Sequence, residues 1–208
     1  PQAALAARHA ELRAHVSGEL AGQIANGGAI EAARLTIDWL ADPANHLGTL
    51  GDEYYPRLLL ETPDPPCVLH VKGRTELLNR PALAIVGSRN ATRQGSETAH
   101  EFAHALSDAG LTIVSGLALG IDAAAHRGGI AGAGSSIAVV GTGLDTVYPA
   151  RNKALAHELA QRGALVSEFP LATPPLAANF PRRNRLISGL RDRKSTRLNS
   201  SHVSESRM

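Results

Sequence analysis

The sequence predicts an α/β protein of Rossmann type, a sandwich built on a mostly parallel sheet. Short continuous apolar runs at 67–71, 82–86, 111–114, 137–140 and 164–166 read as strands buried on both faces. Between them lie segments long enough for crossover helices, at 96–109, 121–131 and 153–162. Several strands end in glycine-rich turns, at the carboxyl edge where open parallel sheets bind ligands.

Taken in order, residues 1–45 are rich in Ala and Leu without a β-branched run. They are broken at Gly18, Gly22 and Asn26-Gly27-Gly28, which fits a small domain of two or three short helices. The stretch 42–66 carries prolines at 43, 56, 63, 65 and 66, and 46–66 reads as a linker or capping loop, since proline fits neither a helix interior nor a central strand. Residues 67–190 form the Rossmann-like domain. Cys67, after Pro66 in an apolar run, reads as core; as the sole cysteine it excludes disulfide frameworks and multi-thiolate zinc sites and suits a reducing cytoplasm.

The chain is 43% hydrophobic and 19% charged, the balance of a globular protein, and no apolar run approaches the roughly 18 residues of a membrane span. It opens Pro1-Gln2-Ala3 with no initiator Met and reads as a fragment. The formal net charge of +2 hides a split: residues 191–208 hold five Lys and Arg against two Asp and Glu, which leaves −1 for residues 1–190. A nucleic-acid site would therefore rest on local cation clusters rather than on the field of the whole protein.

Three strand ends are rich in Gly, Ser or Arg: Val86-Gly87-Ser88-Arg89, the run from Ser115 and Gly116 to Gly120, and Val140-Gly141-Thr142-Gly143. Glycine admits close backbone approach and helix N-termini favour anions, so together they predict a phosphate-binding rim. No G-x-x-x-x-G-K-[ST] is present, and Gly87 does not begin G-x-G-x-x-G, which argues against a P-loop or a dinucleotide. Arg89 offers instead a planar fork suited to a phosphodiester. Two more basic clusters, Tyr148-Pro149-Ala150-Arg151-Asn152-Lys153 and Phe180-Pro181-Arg182-Arg183-Asn184-Arg185, mix cations, amides and an aromatic ring. That mixture suits a single strand of nucleic acid, with cations on phosphates and rings on bases; singly, each also reads as a solvated face.

In order and spacing, Tyr55-Pro56, Asp64-Pro65-Pro66, Ala84-Ile85-Val86-Gly87-Ser88-Arg89, Ser115-Gly116-Leu117-Ala118-Leu119-Gly120-Ile121-Asp122, Ala125-His126, Gly143-Leu144-Asp145, Tyr148-Pro149, Ser167-Glu168 and Phe180-Pro181-Arg182-Arg183-Asn184-Arg185 closely resemble the DprA/Smf family. The resemblance spans roughly residues 50–190. It implies an extended Rossmann-like three-layer sandwich after a small helical domain of sterile-alpha-motif type. It also implies a cytoplasmic, non-enzymatic protein that binds and protects incoming single-stranded DNA in natural transformation, loads the recombinase RecA and forms a homodimer, without cofactor or membrane. Matched residue by residue, Gly87, Ser88 and Arg89 would hold a phosphate, and Ser115, Gly116, Gly141 and Gly143 would shape the rim. Arg151, Asn152, Lys153, Asn184 and Arg185 would face the strand, and Tyr148 would stack. Asp122 and His126 read as structural, a helix-start acceptor and a partly buried hydrogen-bonding residue.

After Gly189-Leu190 the family continues into a further apolar strand, whereas this chain turns polar from Arg191. The tail reads as foreign and disordered, and the chain as truncated at its carboxyl end. Two rival readings remain. His100-Glu101-Phe102-Ala103-His104 is a literal H-E-x-x-H zinc-protease motif, but a helical stripe of Ala99, Phe102, Ala103 and Leu106 would turn both histidines to solvent. Gly141-Thr142-Gly143-Leu144-Asp145 partly echoes the signature of LOG-type phosphoribohydrolases without its glutamate.

Overall fold

The computed structural model describes residues 9–25, 28–191 and 198–199. Two compact units are present, Pro1–Ala41 and Asp42–Met208. The first contains α1 (His9–Leu12), α2 (Gly18–Ala25) and α3 (Gly28–Trp39). The second begins with β1 (Asn45–Thr49), α4 (Arg57–Leu60), β2 (Val68–Gly73), a 3-10 turn at Thr75–Asn79 and β3 (Ala82–Val86). It continues through α5 (Arg93–Asp108), β4 (Thr112–Ser115), α6 (Ile121–Ala131), β5 (Ser136–Val139), α7 (Lys153–Arg162), β6 (Ala164–Ser167), α8 (Asn179–Leu190) and β7 (Leu198–Asn199).

The sheet order is β1-β2-β6-β5-β4-β3-β7. The four strands β3 to β6 are parallel neighbours joined through α5, α6 and α7, as the alternation of apolar runs and helical segments predicts. β2 is antiparallel to both β1 and β6; only a short 3-10 connection leads from it to β3, too little chain for a parallel return. β7 lies within the tail expected to be disordered: Leu198 and Asn199 pair in parallel with Ile85 and Val86. The rest of that tail, from 192 onward, lies outside the described residues.

Alternate residues of β3 feed opposite layers. Ala82 and Ala84 join a core with Tyr55, Leu59, Leu186, Ile187 and Leu190, while Leu83 and Ile85 pack on Ala99, Ala103 and Ala125. Helices α4 and α8 thus cover one face, and α5, α6 and α7 the other, α7 through Leu155 and Leu159. This is the three-layer α/β sandwich expected from the sequence.

Several local expectations differ. Residues 46–66, expected as linker or cap, supply edge strand β1 and helix α4. Tyr55 there is only 2% exposed, its hydroxyl donates to the Pro66 carbonyl at 2.6 Å, and burial pushes its pKa up to about 12. Pro56 sits just before α4, where a missing N–H costs nothing. Cys67, expected in the core, is exposed: it precedes β2, whose own first residue Val68 is 39% exposed, and burial begins only at Leu69. On α5 the buried stripe is Ala99, Ala103 and Ser107, and Phe102 is 41% exposed. The reason is the close approach of α6: a Cβ on Gly128 would come within 2.1 Å of the His100 carbonyl oxygen, and Ser107 Oγ donates to Gly129 O at 2.7 Å. Only small side chains fit between backbones this near.

Helix α8 is missing from the sequence reading, which saw only a charge cluster there. Pro181 falls in its first turn, where helices tolerate proline. Its buried residues, Arg183, Leu186, Ile187 and Leu190, follow the i, i+3, i+4, i+7 spacing of an inward stripe.

His126, expected to be partly buried, is wholly so. Its Nε2 accepts from the Leu117 N–H at 3.2 Å, so the ring proton resides on Nδ1 and is donated to Ser136 Oγ at 2.7 Å. That hydroxyl donates onward to Ile113 O at 2.7 Å. Burial, aided by Arg183 and Arg127, pushes the His126 pKa down to about 3.

Two consequences can be measured. Leu186→Ala should cost about 2–5 kcal/mol in urea unfolding, and Phe102→Ala within about 0.5 kcal/mol; equal costs would contradict the placement of α8 and α5. A charged His126 favours the unfolded chain, where histidine titrates near 6.5. The stability owed to its neutral form is complete above that pH and is lost as pH falls toward about 3, at about 1.4 kcal/mol per pH unit. His126→Gln should remove that slope; an unchanged slope would show that the neutral imidazole is not what the core requires.

Candidate nucleic-acid interface

The turns after β3 and β4 are held by α6. Asp122, in its first turn and 5% exposed, accepts from the Gly87 N–H through Oδ1 at 3.3 Å and from the Gly116 N–H through Oδ2 at 3.1 Å. The sequence suggests an acceptor for its own helix start; the carboxylate serves the two preceding loops instead. The carbonyl of the same Gly116 accepts from Arg183 Nη1 at 2.7 Å, and that nitrogen also donates to Val139 O. Burial pushes the Asp122 carboxyl above its ordinary value, opposed by Arg183 and by the N–H groups of Gly87, Ala118 and Gly116. Burial pulls Arg183 below its ordinary value, opposed by Asp122.

Two glycines are fixed by this packing. A Cβ at 116 would lie 2.5 Å from Arg183 Nη1. Gly120 has φ +76°, and a Cβ there would lie 2.2 Å from Ser88 O, which also accepts the Ile121 N–H at 3.1 Å. Only glycine meets both conditions at 120.

The first turn of α8 completes the rim. Asn179 Nδ2 donates to Gly141 O at 3.0 Å, and the Phe180 ring lies against Gly141. Tyr148, 47% exposed, meets that ring at 5.6 Å and 40°. The Arg89 guanidinium lies 5.9 Å over its centroid, within cation–π range. One member of each of three separate sequence clusters therefore converges on Phe180.

The other selected residues divide into surface and scaffold. Ser88 and Arg89 are exposed, with Ser88 Oγ accepting from the Asn90 N–H at 3.1 Å. Arg151, Lys153 and Asn184 are exposed and make no side-chain hydrogen bond or ion pair among the described residues. Ser115, fully buried, donates to Ile85 O at 2.6 Å and ties β4 to β3. Gly141 and Gly143 are buried, and the Gly143 N–H donates to Thr173 O at 3.0 Å. Two residues expected to face the strand bond to the protein's own groups instead. Asn152 donates from Nδ2 to Leu117 O at 2.8 Å and Ala118 O at 3.2 Å, because the 3-10 turn Ala150–Asn152 directs it under the β4 loop. Arg185 donates to Glu168 Oε2 and Asp64 O and borders a groove of about 550 Å³ with Leu58, Pro63, Asp64 and Gly189.

Sequence reasoning missed Arg183 and the loop-bracing role of Asp122, and left Phe180 and Arg182 unassigned. For Arg183 the signal was present: it starts the apolar spacing 183, 186, 187, 190, so it belongs to the inward stripe.

The rival motifs fall elsewhere. His100 and His104 stack at 6.4 Å on the exposed side of α5, and among the described residues no group of three or more His, Cys, Asp or Glu is placed to hold a metal. Asp145, in the partial hydrolase echo, receives the Ala172 N–H at 2.9 Å to each carboxylate oxygen. Among the described residues no helix is long and apolar enough to cross a membrane.

Known proteins are similar to this chain. Residues 46–194 match the profile of the family described as DNA recombination-mediator protein A. Protein Smf of Escherichia coli (strain K12) is 50% identical over 156 residues, 74% of this chain and 42% of that protein. DNA processing protein DprA of Streptococcus pneumoniae is 43% identical over 139 residues, 67% of this chain and 49% of its own. The chain thus spans about half the length of these relatives. The X-ray structure of the S. pneumoniae protein aligns with a TM-score of 0.66 at 41% identity, covering 70% of this chain and 51% of that one. A structure of DNA processing protein A from Helicobacter pylori, described for its single-stranded DNA binding mode, aligns with a TM-score of 0.64 at 33% identity, covering 71% and 66%. Fold, motif order and sequence agree, and the chain belongs to the DNA recombination-mediator protein A family, the DprA/Smf proteins.

Proposed function

We propose that this chain binds single-stranded DNA across the rim formed by the β3, β4 and β5 turns and the start of α8. The observation that carries this reading is the convergence of Arg89, Tyr148 and Phe180 on one exposed surface. A single strand offers phosphates and unstacked bases together, and cations beside aromatic faces bind both. On this reading Arg89 takes a phosphate, Tyr148 stacks on a base with Phe180 behind it, and Arg151 and Lys153 extend the electrostatic track. The binding mode named for the H. pylori relative supports it.

A binding role, rather than catalysis, fits the state of the nearby acid–base groups: Asp122, His126 and Asp145 are each committed to structural hydrogen bonds. The wider role proposed with it is that implied by the family resemblance, protection of incoming DNA in the cytoplasm during natural transformation, delivery to RecA, and action as a homodimer.

Arg89→Ala should weaken binding to oligonucleotides of every sequence and reduce the slope of log affinity against log salt by about 0.7; an unchanged slope, read by fluorescence anisotropy, would place the site elsewhere. Tyr148→Ala should cost about 1–3 kcal/mol of binding at an unchanged slope. Full affinity in that variant would remove Tyr148 as a stacking residue.

A further inference from the structure

Phe180-Pro181-Arg182-Arg183-Asn184-Arg185 carries three arginines, and the fold leaves them unequal freedom. Arg183 is buried on carbonyl oxygens. Arg185 donates to Glu168 Oε2 and to Asp64 O, with Asp64 Oδ2 3.6 Å from its Nη2. Arg182 lies over the Phe169 ring at 5.7 Å, its Nε 3.6 Å from Glu168 Oε2. The Glu168 side chain is only 3% exposed and follows β6, at the same sheet edge as the glycine turns. Two guanidinium groups thus meet two carboxylates, and their formal charges cancel.

A carboxylate bordering a phosphate track opposes affinity, and burying one costs desolvation. Its second oxygen, Oε1, has no hydrogen-bond partner among the described residues, so packing alone does not account for Glu168. Discrimination does: a site that must reject one ligand class gains from a charge that weakens the contact shared by both classes. Duplex DNA presents mainly phosphates to an arginine cluster, whereas a single strand also presents base faces.

We propose that Glu168, with Asp64, is a specificity-determining element that neutralises Arg182 and Arg185, so that α8 does not grip phosphate by itself and binding depends on the Arg89, Phe180 and Tyr148 surface. The inference rests on the single-strand reading above and deepens it.

Glu168→Gln keeps a hydrogen-bond acceptor and removes the charge. The full chain and this variant are titrated by fluorescence anisotropy with a labelled single-stranded oligonucleotide and with its duplex, across a salt series. The variant should bind duplex several-fold more tightly. Its salt slope should steepen by about 0.9 on duplex, and about 0.7 on the single strand, for each arginine released. Adding Arg182→Ala should reverse the gain. Arg182→Ala alone, at a side chain 63% exposed, should leave both slopes unchanged because Glu168 already cancels its charge; a slope lower by about 0.7 on the single strand would overturn the proposal, and this variant decides the matter if Glu168→Gln does not fold. A purely structural ion pair would lower the Tm of Glu168→Gln and leave its slopes alone, and unchanged slopes in that folded variant overturn the proposal. Failure of the unsubstituted chain to bind either oligonucleotide would overturn the single-strand reading, and this inference with it.

Discussion

The backbone of Gly116 lies between two buried charges, its N–H on Asp122 and its C=O on Arg183. Each charge sits in a poor solvent and is satisfied there by backbone groups, and a buried polar group stripped of such partners typically costs about 1–3 kcal/mol, more when it is charged. The main chain between them is thereby fixed, and with it everything attached. Asp122 holds the β3 turn through Gly87, Arg183 holds the β5 end through Val139, and α8 cannot shift without uncovering its arginine. Three loops from distant parts of the sequence become one rigid edge.

That edge divides labour among residues that look alike in sequence. Asp122, Arg183, Ser115 and Asn152 are spent inside the scaffold, and Arg185 is paired with carboxylates. Arg89, Tyr148, Arg151 and Lys153 remain at the surface. The inner set positions the outer set: Asn179 and Gly141 seat Phe180, and Phe180 carries Arg89 on one contact and Tyr148 on another. Preorganisation of this kind limits the ordering cost that a flexible cluster of arginines would incur on binding.

How much of this was legible in the sequence follows from the range of the forces involved. Strands β3 to β6 and helices α6 and α7 were readable because burial on both faces leaves continuous apolar runs and crossover helices have a fixed minimum length. β1, α4 and Tyr55 were hidden by prolines, which mark loops locally yet here flank short elements pinned by distant partners such as Asn79, whose Nδ2 donates to Tyr55 O. The exposed face of Phe102 depends on how near α6 comes, which no local pattern records. At the site, the glycine turns and Arg89 were found because ligand approach demands those residue types. Asn152 and Arg185 misled because an amide or a guanidinium carries no mark of whether its acceptor will be a ligand or the protein's own backbone.

Binding of a single strand to one exposed surface braced by Asp122 and Arg183 can be read by backbone amide NMR of the isotopically labelled chain during titration with a single-stranded oligonucleotide. Shift changes should concentrate at Gly87, Ser88, Arg89, Tyr148 and Phe180, with little change along the exposed side of α5 at His100 and His104. Changes confined to α5 or to the groove beside Arg185, or none in a folded sample, would contradict it.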